Sequence, residues 1–280
     1  MDVNNTNNQT NSINFIQKVE RVQIHLESIY GTKLNGSKNS NILFYLKSPI
    51  EIKGHILDVS VSVYSFIMPI AFYIVNENNN KLNIEIDNII YSYTIPVGNY
   101  NINELITKLK QLIGNNFNIS INTSTYKLTI TNFINEFKIL GNSTCWRLLG
   151  FNKDENLQSS SLTLSLPNVV NLTGVNMVKI WSPSFNLKNI DGKTGNQSSI
   201  LQSISVTGIQ GGIINYLNNT GFKSSCKEKT FSTLLINLKD EFDEYLNLNG
   251  ADFQLVLELE YLYHKEIKDE SFLGLTGKDF

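Results

Sequence analysis

The chain reads as mainly β: an antiparallel β-sandwich interrupted by a β-rich insert that carries one α-helix. Three observations lead there. The segment Leu246–Tyr261, LNLNGADFQLVLELEY, joins a reversal at Asn249-Gly250 to a strict alternation. Phe253, Leu255, Leu257 and Leu259 take one face, against Gln254, Val256, Glu258 and Glu260. Runs of strand length recur on both sides of the middle of the chain. One stretch alone, Ile102 to Ile113, has apolar residues at helical spacing. A patterned strand so near the C-terminus is expected to close a sheet begun by the N-terminal half.

The elements follow in order. Residues 1–18 are rich in Asn, Thr, Gln and Ser with few apolar anchors, and read as an extended or disordered arm; Ile13, Phe15 and Ile16 offer docking groups for its end. Strand patterns follow at Val22–Ile29 and Ile42–Leu46. A long run, His55–Met68, places Val59, Val61, Val63 and Ser65 on one face and ends at Pro69. The texture changes after Tyr73. Asn76–Asn80 is a turn cluster, and Leu82–Ile86 with Ile90–Ile95 reads as a hairpin.

The helix comes next. Ile102, Leu105, Ile106, Leu109, Leu112 and Ile113 form one stripe; Asn101 is placed to cap it, Glu104 to complete a capping box, and Gly114 to stop it. About twelve residues make a marginal helix in water, so the stripe must pack on a sheet. Strands are expected at Phe117–Asn122 and Tyr126–Thr131 around a Thr123–Thr125 turn, at Phe137–Leu140, and at Leu162–Leu166. Later strands fall at Met177–Trp181, Ile200–Val206, Gly212–Tyr216, Thr230–Asn237 and Gln254–Tyr263. The division expected is an arm at 1–18, a sandwich from 19–72 plus 167–263, an insert at 73–166, and a charged tail at 264–280.

Composition narrows the function classes. The chain has 280 residues and a formal net charge of −2, which argues against a general nucleic-acid surface, since phosphate binding needs a basic excess. Charged residues are 17%, below the roughly 25% of soluble domains. Asn takes up the polar role at roughly one residue in seven, more simply a coding bias than an amide interaction surface. The N-terminus has no basic region followed by an apolar core, so no secretory signal is expected, and no apolar run is long enough to span a membrane. Cys145 and Cys226 are the only cysteines and are expected as reduced thiols.

Candidate chemistry is thin. His25, His55 and His264 lie far apart in sequence, without the spacing of a zinc site. Cys145, beside Trp146, has no activating base nearby and reads as a small buried thiol. The acidic run Asp240, Glu241, Asp243, Glu244 lacks the alternating ligands of a calcium loop and reads as a solvated turn. Gly208–Gly212, GIQGG, has neither the lysine nor the helix of a phosphate loop; Asp191-Gly192 and Gly195 also read as loop. Tyr91, Tyr93, Tyr261 and Tyr263 sit at strand spacing, as core or sheet-surface pairs rather than a sugar platform. No catalytic, cofactor-binding or metal-binding residue is assigned, and no cofactor is expected.

A set of phrases points to a family. They are TIPVGNYNINELITKLKQLI at 94–113, STYKLTITN at 124–132, LLGF at 148–151, PNVVNLTG at 167–174, GGIINY at 211–216, and the closing NLNGADFQLVLELEY. In this order they resemble the penton-like minor capsid proteins of giant viruses, virophages and polinton-like viruses, over roughly residues 55–262. The resemblance implies a single jelly roll, non-enzymatic, that assembles as a homopentamer at the fivefold vertices of an icosahedral capsid. It would contact the double-jelly-roll major capsid protein, in virions assembled in host cytoplasm. The arm and tail lie outside it. Two other readings stand beside it: a receptor- or glycan-binding sandwich module on a virion, motivated by Tyr- and Asn-rich loops, and a hydrolase, for which no acid, base or nucleophile cluster is found.

Overall fold

The computed structural model describes residues 15–34, 38–50, 55–192 and 194–266. In chain order, the first strands are Phe15–Glu27 (β1), Thr32–Lys33 (β2), Asn41–Tyr45 (β3) and His55–Pro69 (β4). The middle of the chain holds Lys81–Ile86 (β5), Ile89–Thr94 (β6), the helix Ile102–Ile113 (α1), Phe117–Asn122 (β7), Lys127–Asn132 (β8) and Phe137–Ile139 (β9). A four-residue helix, Trp146–Leu149 (α2), then precedes Leu157–Gln158 (β10) and Thr163–Ser165 (β11). The last strands are Met177–Trp181 (β12), Ile200–Ser205 (β13), Ile213–Leu217 (β14), Ser224–Cys226 (β15), Thr233–Lys239 (β16) and Gln254–Glu266 (β17).

These elements form two compact units, one of the described residues up to Ile70 together with those from Met177, the other Ala71–Asn176. The first unit is a sandwich of two sheets. One has the order β1-β17-β4-β14, with β15 also on β4; the other runs β13-β12-β16-β3-β2, and every pairing is antiparallel. Let β1, β3, β4, β12, β13, the broken strand β14/β15, β16 and β17 be lettered B to I in chain order. The sheets then read B-I-D-G and C-H-E-F, the two interleaved Greek keys of a jelly roll. The middle unit is inserted in sequence between D and E.

The alternation read at the C-terminus sets the core. Phe253, Leu255, Leu257, Leu259 and Tyr261 are at most 1% exposed and meet Val59, Val61 and Val63 of β4 across the sheet. The opposing sheet supplies Ile42, Phe44, Val178, Ile180, Leu234, Ile236 and Leu238. β17 completes a sheet begun by the N-terminal half, as expected, and does so from a central position between β1 and β4, with both its backbone edges paired. A bulge shifts the register between Val256 and Leu257, and the inward face of β4 passes from Val63 to Phe66 and Met68. Ser65 therefore leaves the face that simple alternation gave it. The reversal before β17 uses positive φ at Asn249 (49°) and Gly250 (85°). Ser28 locks the other side of that end: its hydroxyl donates to Asp252 Oδ1 (2.7 Å) and accepts from the Phe253 amide (2.9 Å).

The insert is an α+β unit with two small sheets, β10-β9-β5-β6 and β11-β8-β7. The α1 stripe enters its core: Leu105 and Leu109 are fully buried among Leu82, Ile84, Leu128, Phe137 and Phe151. The capping box forms, with the Asn101 side chain accepting from the amides of Asn103 and Glu104 and Glu104 accepting from the Asn101 amide. Gly114, at φ 92°, ends the helix. Gly150 ends α2 at φ 89°, where an added Cβ would stand 2.4 Å from Asn168 O.

Several boundaries differ from expectation. Phe15–Lys18, grouped with the arm, belong to β1, and His264–Glu266, grouped with the tail, complete β17; both extensions are ladder pairs of one another. Residues 167–176, assigned to the sandwich, are held in the insert by Asn168 N→Gly150 O, Val170 N→Tyr126 O and Asn171 N→Leu148 O. Ala71 and Phe72 join the insert as well. The rest of the arm, 1–14, and of the tail, 267–280, lies outside the described residues.

Candidate interaction surfaces

The residues singled out for chemistry resolve into structure. The Cys145 and Cys226 thiols are free and buried. Burial pushes Cys145 well above the ordinary thiol range and Cys226 up to about 12, which favours the protonated thiol at both. The acidic run is a hydrogen-bonded turn. Asp240 Oδ1 accepts from the amides of Phe242 (2.8 Å) and Glu244 (2.9 Å), and burial nevertheless raises its carboxyl above the usual range. Lys179 reaches across from β12 to Asp243 Oδ1 (2.8 Å) and Glu241 O (3.1 Å). GIQGG is the turn into β14, tied by Gly211 N→Ile70 O and Ile70 N→Gly212 O. Among the described residues no three His, Cys, Asp or Glu side chains group to hold a metal. His55 and His264, 209 positions apart in sequence, are brought face to face as register partners on β4 and β17; His25 stands opposite Val256 at another place on the same sheet. Tyr261 is core, Tyr93 packs on the insert core, and Tyr91 is exposed. Tyr91 and Tyr93 belong to the insert, Tyr261 and Tyr263 to the sandwich unit.

What the structure offers instead is surface. Outward-facing residues of the β1-β17-β4-β14 sheet divide into two zones. The central zone is ionic. Glu260 on β17 accepts from Arg21 Nε of β1 (3.0 Å) and from Lys223 Nζ, whose strong hydrogen bond does most to hold its carboxyl below the usual range. Asp58 of β4 accepts from Lys188 Nζ (3.5 Å) and Ser225 Oγ (3.3 Å). Between these pairs, over Ser60, lies a pocket of about 310 Å³ bounded by Val19 and Leu262. The first set ties β1 to β17 and the second ties β4 to β15 on the solvent side of the sheet.

The second zone, toward the start of β14, is apolar. Ile213 and Leu217 are 66% and 50% exposed, and the pairing of Asn215 with Ile67 puts half-exposed Ile67 on the same face. A pocket of about 290 Å³ continues the zone past Ile29 and Pro69 to Asp252. Among the described residues β1 is an edge of the first sheet, thirteen residues long and punctuated by Lys18, Glu20, Arg21 and His25. Charges at such intervals oppose unspecific strand pairing.

The insert has its own exposed edge, and it is not protected that way. β6, IIYSYT, carries no charge or proline and is the terminal strand of its sheet. Ile89 and Ile90 are each more than half exposed. The turn holding Phe133 and Ile134, also more than half exposed, is tied to the β5–β6 turn by Asn135 Nδ2→Asp87 Oδ2 (2.7 Å). Large apolar side chains clustered in this way mark contact sites. Sequence patterning missed them because alternation identifies a strand but not whether its neighbour position is filled. No helix among the described residues is long and apolar enough to cross a membrane.

Comparison with known proteins adds two solved structures. The crystal structure of the mavirus penton protein superposes with a TM-score of 0.46 at 13% identity, covering 86% of this chain and 99% of that one. The flagellar cap protein FliD of Escherichia coli, through its D1-D2-D3 domains, gives 0.18 at 11%, covering 84% of this chain and 54% of that one. No family model and no curated protein matches the sequence.

Proposed function

We propose that this chain is a non-enzymatic structural subunit of an icosahedral virus capsid, a penton that assembles as a homopentamer at the fivefold vertices. The observation that carries the reading is the strand order: B-I-D-G against C-H-E-F, complete and antiparallel, with an insert between D and E. Jelly rolls of this order build viral shells and also lectins and cupins, so the topology alone leaves several functions open. The ordered phrases from Thr94 to Tyr261 select the capsid reading among them. Function then lies in shape. A rigid sandwich repeats around a ring through heterologous contacts that close. The exposed Ile67, Ile213 and Leu217 zone and the β6 edge are surfaces of the kind such contacts bury. The flanks not used between copies would meet the double-jelly-roll major capsid protein.

Mass photometry of the purified chain tests this directly. The expected result is a species near five times the 31.7 kDa chain mass. A protein that stays monomeric at micromolar concentration, together with cryo-EM particles whose vertices hold some other density, would remove the vertex assignment.

A further inference from the structure

β6 ends its sheet on the side away from β5, and the hairpin leaves its outer backbone groups in a definite phase. From that phase and the side chains around it we infer that β6 pairs antiparallel with β6 of a second copy of this chain, across a two-fold axis at Ser92. The inference does not depend on the capsid reading.

The turn between β5 and β6 has positive φ at both its residues, Asp87 (51°) and Asn88 (63°). In a two-residue turn of this kind the flanking pair, here Ile86 and Ile89, exchanges backbone hydrogen bonds. At the other end of the hairpin the Ile95 amide donates to Asn80 O (2.8 Å), on the same alternation. Ile89, Tyr91, Tyr93 and Ile95 therefore bond to the β5 side. The amides and carbonyls of Ile90, Ser92 and Thr94 point the other way, where no described strand lies. A row of alternating donors and acceptors at this spacing is met by an extended backbone. β7, another edge of the insert without charge, differs in its side chains: it buries Phe117 and Ile119 and turns Asn118, Ser120 and Asn122 to solvent. β6 leaves apolar groups uncovered on both faces, Ile90 on one and Ile89 and Tyr91 on the other.

A second β6 fits this edge. In the register centred on Ser92, Ile90 faces Thr94 of the second copy, Ser92 faces Ser92, and Thr94 faces Ile90. Each of these pairs exchanges both its backbone bonds, so every outward group of β6 is satisfied. Between them, in the closer positions, Tyr91 of one copy meets Tyr93 of the other, and cross-strand aromatic pairs stabilise a sheet. Ser92 brings no unmet hydroxyl to the axis, since its Oγ donates to Asn83 Oδ1 (2.8 Å). The charges are complementary. Lys81 stands beside Thr94 and Glu85 beside Ile90 on β5, so the two-fold sets Lys81 of each copy on one row with Glu85 of the other. Glu85 keeps its own Lys138 (2.8 Å). A six-residue strand spans about 20 Å. An interface built on so short a pair falls at the low end of specific contacts, which sets association in the micromolar range.

Sedimentation velocity on the full chain, from about 0.1 to about 100 µM, tests the inference. The expected result is a twofold rise in the mass of whatever species is present at the dilute end, a single chain or a ring, so the outcome is separate from that of the capsid reading. Ile90→Lys puts a charge on the edge, and Ser92→Pro removes an amide that β5 does not use. Each should weaken the association about tenfold or more. Val169→Lys, at another exposed apolar residue of the insert, should leave it unchanged. All three side chains stand in solvent, so the variants should fold, which circular dichroism verifies. Ser92→Cys reads the register. The Cα atoms of a hydrogen-bonded pair are about 5.5 Å apart, within disulfide reach, and both native thiols are buried. Oxidised glutathione should therefore link Ser92→Cys into a covalent dimer and leave Val169→Cys unlinked. A mass that stays constant across the range overturns the inference and assigns the edge to a partner other than a second copy. Association undiminished in both Ile90→Lys and Ser92→Pro overturns it, as does the absence of a Ser92→Cys dimer.

Discussion

Tyr261 gives the sharpest test of the core. Its ring is fully buried in the middle of β17, yet its hydroxyl has no hydrogen-bond partner among the described residues. Burial, with lesser contributions from Cys226 and Glu20, raises its pKa to about 12. A desolvated, unpaired hydroxyl costs about 1–3 kcal/mol. Tyr261→Phe keeps the ring and removes that cost. The oxygen leaves a void of roughly 10 Å³, worth about 0.2–0.3 kcal/mol against the variant. The net expectation is a gain of about 1 kcal/mol, or a Tm higher by about 2–4 °C for a domain of this size. Urea denaturation at pH 7 measures the first quantity and differential scanning calorimetry the second. The pH dependence has a definite sign. A phenol whose pKa is raised on folding contributes fully below its unfolded value of 10.0 and loses that contribution as pH rises toward about 12. Wild type should therefore lose more stability than Tyr261→Phe across that window. A variant less stable than wild type by 1 kcal/mol or more would show that the hydroxyl is satisfied, and the reasoning would fail.

Two further predictions concern the ion network and the helix cap. Glu260→Gln should cost about 1 kcal/mol at neutral pH, discounted because Arg21 and Lys223 stand largely in solvent. Glu260 is depressed on folding, so its contribution is present above the unfolded carboxyl pKa and lost as pH falls through the lower folded value. Urea melts from pH 7 to pH 3 should accordingly show a shallower acid limb in the variant; parallel limbs would deny the network its role. Asn101→Ala should destabilise the insert by about 1 kcal/mol and speed hydrogen exchange at the amides of Asn103 and Glu104, with the strands of the sandwich unit unaffected. Unchanged exchange at those two amides would refute the capping account.

Much of this protein was legible as local pattern. Alternation along Phe253–Tyr261 and Val59–Val63 named the core faces of two long strands, because a two-residue period leaves one face to bury. The stripe from Ile102 to Ile113, with its cap and stop, fixed the helix to the residue, since capping is a matter of adjacent backbone groups. Asn249-Gly250 marked its turn for the same reason: few residues accept positive φ. All of these signals act within a few residues of one another.

Pairing partners and unoccupied surfaces had no such signal. Nothing in the letters of β17 says that it runs between β1 and β4, because a strand's own alternation is the same at an edge and at a centre. The bulge that turns Ser65 outward and Phe66 inward arises only when two long strands are laid side by side. The meeting of His55 with His264 and the ion pairs around Glu260 join residues from opposite ends of the chain or from separate loops. Local chemistry chose the elements; long-range packing chose their neighbours, and the surfaces through which this chain meets other molecules are what those neighbours leave uncovered.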